Sequence, residues 1–266
     1  MIASLGMYDW PEVRDETDAL WSFIAARLRA DGLQAPSHLS RFGDAAEPWL
    51  SPTLVLAQTC GYPYATGLRG EVRLVGTPCY DVPGCRGAWY SSMIIASRSS
   101  GIASLADLGG ATVAVNSEAS HSGHWALRAA IAATPRAVGP RRAILSGSHR
   151  QSVRNIADGV ADLAAIDAVS WALAERHEPE AAAATRIIAR SPAAPGLPLI
   201  TALGTSDAAL EALREAIAVA ASDPALQAMR HALFLSGFEV LAETVYDQIL
   251  ELRADALSVS FPAIET

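Results

Sequence analysis

Short apolar runs alternate with amphipathic stretches along most of this chain. Residues 1–7, 36–43, 54–58 and 72–77 read as strands bounded by Gly, Pro or polar clusters. Between the first two, Asp18 to Ala30 places Leu20, Trp21, Phe23, Ile24 and Leu28 near one face, and Gly32 follows, which predicts a helix. A long strand over 89–97, a short helix over 104–110 and strands over 112–116 and 143–146 come next. A helix then runs from a Ser148 cap to Asp158 and stops at Gly159. Asp162 to Asp167 reads as a buried strand with a carboxylate at its end, 168–176 as a helix and 186–190 as a strand. Pro192, Pro195, Gly196 and Pro198 mark a crossing, and 199–203 resumes a strand. The remainder reads as helical: 207–221, then Ser222-Asp223-Pro224 with proline in the first turn, then 243–257.

Strands alternating with helices predict an α/β fold built on mostly parallel sheets covered on both faces. Residues 91–191 form a self-contained set between two crossings. Two lobes are therefore expected: 1–90 with 192–266, and 91–191. Ligands on such sheets collect at the carboxyl ends of strands, where Tyr8, Trp10, Tyr62 and Tyr64 fall in the first lobe.

One such end concentrates the polar chemistry. Ala111-Thr-Val-Ala-Val is followed by Asn-Ser-Glu-Ala-Ser-His-Ser-Gly-His, and then by Trp125, Leu127, Ala130 and Ile131 at helical spacing. A strand leaving through a Ser/His/Gly loop into a helix start offers backbone N–H groups and hydroxyls to an anion without needing a cationic side chain. The same residues also suit a plain capped helix, since serine is a favoured N-cap.

Composition narrows the field. The chain has 266 residues, enough for two lobes with good cores, and no apolar run approaches the roughly 20 residues of a membrane span. A net charge of −8 argues against nucleic acid but not against a small anion, because a local site can oppose the overall charge. All 20 basic residues are arginine, which excludes Schiff-base, pyridoxal-phosphate and P-loop lysine chemistry. Cys60, Cys79 and Cys85 make no C-x-x-C pair; Cys79 and Cys85 bracket a turn, as a small disulfide or as two free thiols. His121 and His124 are three apart with no third ligand, so no metal and no cofactor is expected. No basic, cleavable apolar segment precedes the first strand, so either an export signal lies outside this sequence or the protein acts inside the cell.

Several segments in order carry a family resemblance: Leu54-Val-Leu-Ala-Gln-Thr-Cys-Gly-Tyr62, Tyr90-Ser-Ser-Met-Ile-Ile-Ala-Ser97, Ser100 to Gly110, Ser120-His-Ser-Gly123, Ser146-Gly-Ser-His149 and Ala161 to Asp167. Over about residues 1–205 the chain resembles the substrate-binding proteins of phosphonate, phosphite and phosphate ABC transporters. The resemblance implies a two-lobed periplasmic-binding-protein-like fold, joined by two crossings, that closes on a small anionic ligand in the cleft between lobes. It implies a periplasmic, monomeric, non-catalytic protein whose partner is a membrane permease. It also implies ligand contacts from Tyr62, from Tyr90 with Ser91, from Ser120, Ser122 and Gly123, from His149, and from Asp167 facing a ligand amine. The family pattern Ser-Thr-Ser-Gly reads Ser-His-Ser-Gly here, so His121 stands where threonine is usual and adds an imidazole, neutral or charged. Trp10, at a loop beside a strand end, is a further stacking candidate. Two rival readings stay open: an enzyme on the same fold using Cys60, His121 or His149, and Asp167, and a cytoplasmic ligand sensor. No Gly-x-Ser-x-Gly elbow supports the enzyme.

Overall fold

The computed structural model describes residues 1–266. In chain order its main elements are β1 (Ile2–Ser4), α1 (Arg14–Ala30), β2 (Leu54–Gln58), β3 (Val72–Tyr80), β4 (Met93–Ser97), β5 (Thr112–Val115) and α2 (Ala126–Ala132). There follow β6 (Arg142–Leu145), α3 (His149–Ala157), β7 (Leu163–Ile166), α4 (Ala168–His177), β8 (Thr185–Arg190), β9 (Leu199–Ala202), α5 (Asp207–Ala220), β10 (Leu235–Glu239), α6 (Asp247–Ala256) and β11 (Ile264–Glu265).

The chain forms two compact units. Unit 1 comprises Met1–Asp81, Arg86–Trp89 and Pro195–Tyr246; unit 2 comprises Val82–Cys85, Tyr90–Ala194 and Asp247–Thr266. The C-terminal stretch was expected in the first lobe and belongs instead to unit 2. Its helix α6 packs on α2, and β11 adds a parallel strand to β6.

Unit 1 is a five-stranded sheet in the order β1-β2-β9-β3-β10. Its core joins Leu56 and Val75 of the sheet to Trp21, Ile24 and Leu28 of α1 and to Leu210, Leu213 and Ile217 of α5. Helix α1 begins with Asp15 and Glu16 and ends with Arg27 and Arg29, the charge order that suits its dipole, and stops at Gly32 with φ +77°. Residues 36–43, expected as a strand, carry no regular structure. Their approach is set by α1, because Trp21 Nε1 and Arg29 Nη2 both donate to the Pro36 carbonyl, while Ser40 N makes a single bond to Ala3 O.

Unit 2 is a six-stranded sheet in the order β8-β4-β7-β5-β6-β11. The pairings among β7, β5, β6 and β11 are parallel; β4 runs against both β7 and β8. Likewise β9 runs against β2 and β3 in unit 1. Both sheets are thus more mixed than the mostly parallel pattern expected. β4 and β9 are each the first long strand after the chain enters a unit, so no helical crossover within the unit imposes parallel pairing on them. The expected strand over 89–97 is interrupted at Ser91-Ser92, where Ser91 N bonds Gly84 O and Ser92 N bonds Ser191 Oγ. The reading of everything after residue 204 as helical missed β10, which pairs with the far half of the long β3, and β11.

Candidate anion-binding site

Strand order brings the polar candidates of unit 2 to one edge. β7, β5 and β6 are adjacent and parallel, so Asp167, Asn116 and Ser146 all leave at the same end. β4 is antiparallel and registers Met93 opposite Ile166, which sets the residues just before it, Tyr90 to Ser92, at that end too.

After β5 the chain turns through Ser120 and enters a π-helical turn, His121–Trp125, that continues into α2. A π turn leaves one more amide at its start than an α turn leaves. Ser120 is its N-cap: Gly123 N donates to Ser120 Oγ at 3.0 Å. A side-chain relay continues from there. Ser120 Oγ lies 3.3 Å from Ser122 Oγ, and Ser122 Oγ lies 2.8 Å from His149 Nε2. His149 is delivered by the next strand, β6. Ser146 N and Oγ both donate to Val115 O, Gly147 turns the backbone at φ +82°, and Ser148 caps α3 by accepting from Gln151 N.

Asn116 closes the turn from the strand side, and sequence reading did not select it. A Cβ on Gly123 would lie 1.8 Å from Asn116 Oδ1 and 3.2 Å from His149 Cε1, so only glycine lets these three groups meet. Asn116 Oδ1 is buried and makes no hydrogen bond. Ser120, His121, Ser122, His124 and Trp125 are all buried.

No cation joins the relay. Arg150 and Arg154, which follow His149 on α3, are both held by Glu178. The imidazoles are neutral. Burial pushes the His121 pKa down to about 4, and pushes His149 down to about 4 against a hydrogen bond with the Ala165 backbone. His124 is lowered mainly by burial, with its Nδ1 against Glu118 O at 2.9 Å. Burial favours the neutral of the two states expected for His121, whose ring stands edge-on to Tyr90 at 6.3 Å. Asp167 is buried and caps α4, accepting from Val169 N at 2.8 Å and from Ser170 N at 3.1 Å. Ser91 is half-buried beside Tyr90.

Tyr62 and Trp10 lie in unit 1. Tyr62 is half-buried in the turn after β2, where its carbonyl accepts from Thr66 Oγ1; Trp10 is buried at the start of the turn that leads into α1. Neither lines the cavity of about 60 Å³ in that unit, whose aromatic walls are Tyr8 and Tyr80, in edge contact at 5.3 Å. Tyr64 is fully buried against Tyr246. None of the three cysteines forms a disulfide, and Cys79 Sγ donates to Glu239 Oε1.

Residues 56–246 match the family model described as the periplasmic substrate-binding protein of the phosphonate ABC transporter. The chain belongs to this family. No curated protein sequence matches it. Solved structures share the fold at low identity. PhnD1 from Prochlorococcus marinus, in complex with methylphosphonate, superposes with a TM-score of 0.75 at 12% identity, over 97% of this chain and 98% of that one. The binding protein component of ABC phosphonate transporter PA3383 from Pseudomonas aeruginosa gives 0.74 at 18%, over 96% and 86%. XAC2383 from Xanthomonas citri, solved with chloride ion, gives 0.74 at 18%, over 97% of both chains; with ATP it gives 0.70 at 20%. The family is one of solute-binding, periplasmic proteins, and no helix of this member is long and apolar enough to cross a membrane.

Proposed function

We propose that this protein captures the phosphonate- or phosphate-like head group of a small molecule on the Ser120–Gly123 turn and hands it to an ABC permease from the periplasm. The observation that carries this reading is the Ser120–Ser122–His149 relay, set at a helix start and crowded against Gly123 by an unsatisfied Asn116. Tetrahedral oxyanions suit such a place, where hydroxyls and amides converge beside the positive end of a helix dipole. With its one hydrogen on Nδ1, toward the Ala165 backbone, neutral His149 accepts from Ser122 Oγ through Nε2, and an arriving anion draws that serine hydroxyl hydrogen to itself. Asn116, rotated to present its amide nitrogen, adds a donor. Binding exchanges the Gly123–Ser120 cap for ligand contacts. Tyr90 and Ser91 border the head group, and Asp167 meets an amine on the ligand's organic part.

The Ser122–His149 pair also has the spacing of a nucleophile and its base. Burial holds this imidazole at about 4, which makes it a poor base at neutral pH, so the pair is read as a binding relay.

A thermal-shift screen of methylphosphonate, phosphite, phosphate, methanesulfonate and acetate tests the reading. A ligand at a hundredfold excess over its Kd stabilises the fold by roughly 2.7 kcal/mol. The tetrahedral phosphorus anions are expected to raise the Tm. A protein that responds to none of these anions would not have this function.

A further inference from the structure

The family match ends at residue 246, where the chain passes for the last time into unit 2. The stretch beyond it is built against the rear of the Ser120–Gly123 turn. Helix α6 packs on both α2 and the turn itself. Arg253 of α6 sets its guanidinium 5.0 Å over the Trp125 ring. Arg128 lies 5.0 Å from the same ring and 5.2 Å from Phe261, and its Nη2 donates to Val259 O. His124 stacks on Trp125 at 4.5 Å and meets Phe261 at 5.4 Å. Neither Arg128 nor Arg253 has a carboxylate partner, and the Nε of each is buried without an acceptor, so ring faces are the main attraction that holds them.

The same stretch reaches the second limb of the site. β11 pairs in parallel with β6, and Arg142 donates through Nε and Nη2 to Glu265, at 2.8 and 2.6 Å. β6 is the strand that delivers Ser146 to His149. One short segment therefore braces both the turn that carries Ser120 and Ser122 and the strand that carries His149.

We infer that residues 247–266 form a strap that fixes the geometry of the recognition turn, with Arg253 and Phe261 as positioning residues for anion binding. They act through Trp125 and His124 and touch no ligand. The inference rests on the turn being the anion site, and its test separates the two claims.

Arg253→Gln, Arg253→Lys and Phe261→Ala are compared with Glu251→Gln, an exposed change on the same helix. Hydrogen exchange of the amides over 121–126 is measured in the unliganded proteins, beside methylphosphonate titration by calorimetry. Loss of one cation–π contact predicts a Kd about fivefold weaker for Arg253→Gln, with Lys recovering part of it. Exchange at 121–126 is expected to quicken in Arg253→Gln and Phe261→Ala, while that of β2 in unit 1 and the Glu251→Gln control stay as in the parent. Parent-like exchange and affinity in both variants overturn the strap. Faster exchange with unchanged affinity overturns its link to binding, and exchange that quickens equally in both units reduces it to general stability. If the parent binds no anion, the functional reading fails, and the exchange data still decide the strap.

Discussion

At the scale of single residues, Gly123 is held to glycine by crowding, since its φ is ordinary and the space around it is not. Gly123→Ala puts a methyl 1.8 Å from Asn116 Oδ1. The expected outcome is a loss of about 1–3 kcal/mol in urea unfolding, the usual cost of overpacking, together with loss of methylphosphonate binding. The imidazoles add a pH dependence. The native His121 pKa of about 4 lies below its ordinary 6.5, so the unfolded chain takes up the proton first. The stability this group lends is complete above about 6.5 and drains away as pH falls toward 4, a total on the order of 3 kcal/mol. His149 and His124 are shifted the same way. Urea midpoints are therefore expected to fall between pH 7.5 and 5, and His121→Gln should flatten part of that slope; an equal slope in the variant would remove His121 from the account. Ser120 and Ser122 could be singled out because they sit in a polar turn after an apolar run, and His149 only through the family resemblance of Ser146-Gly-Ser-His149. Asn116 could not, because its partner is a glycine across the turn and no residue type announces such a contact.

At the scale of elements, caps and site share the same atoms. Asp167 Oδ1 holds two amides of α4, which is reason enough for an acid there without any ligand. Substitution separates the roles. Asn caps about as well as Asp, so Asp167→Asn is expected to keep its Tm and its affinity for methylphosphonate. It should lose about tenfold in affinity for an aminoalkylphosphonate, whose ammonium needs the charge. Asp167→Ala should lose about 0.5–2 kcal/mol of stability as well. Calorimetry with the two ligands decides, and parallel losses for both would deny the amine contact. The elements themselves were readable where one face was consistently apolar, as in α1, α3 and α5. They were misread where neighbours decide. Residues 36–43 have strand-like spacing, yet α1 takes the Pro36 carbonyl; Leu235-Ser-Gly-Phe-Glu follows helix-forming sequence, yet β3 is long enough to hold it as a strand.

At the scale of the whole chain, continuity in sequence and continuity in space part company. Residues 243–257 read as helical from the sequence alone, but nothing in that reading says which unit buries the helix, because the partner surface is Trp125 and α2, more than a hundred positions earlier. Apolar residues specify burial, and the address is written in packing. Unit 2 should therefore not fold well from its central stretch alone. Residues 90–194 without the tail would leave the outer face of α2 bare and β6 as an open edge, two features that favour loose packing and aggregation. A fragment of 90–194 is expected to melt broadly in far-UV circular dichroism, whereas 90–194 joined through a Gly/Ser linker to 247–266 should melt in one sharp transition. Equal, cooperative melts for the two fragments would mean that the tail rests on a unit already complete, and the attribution of its packing energy to the unit's fold would be wrong.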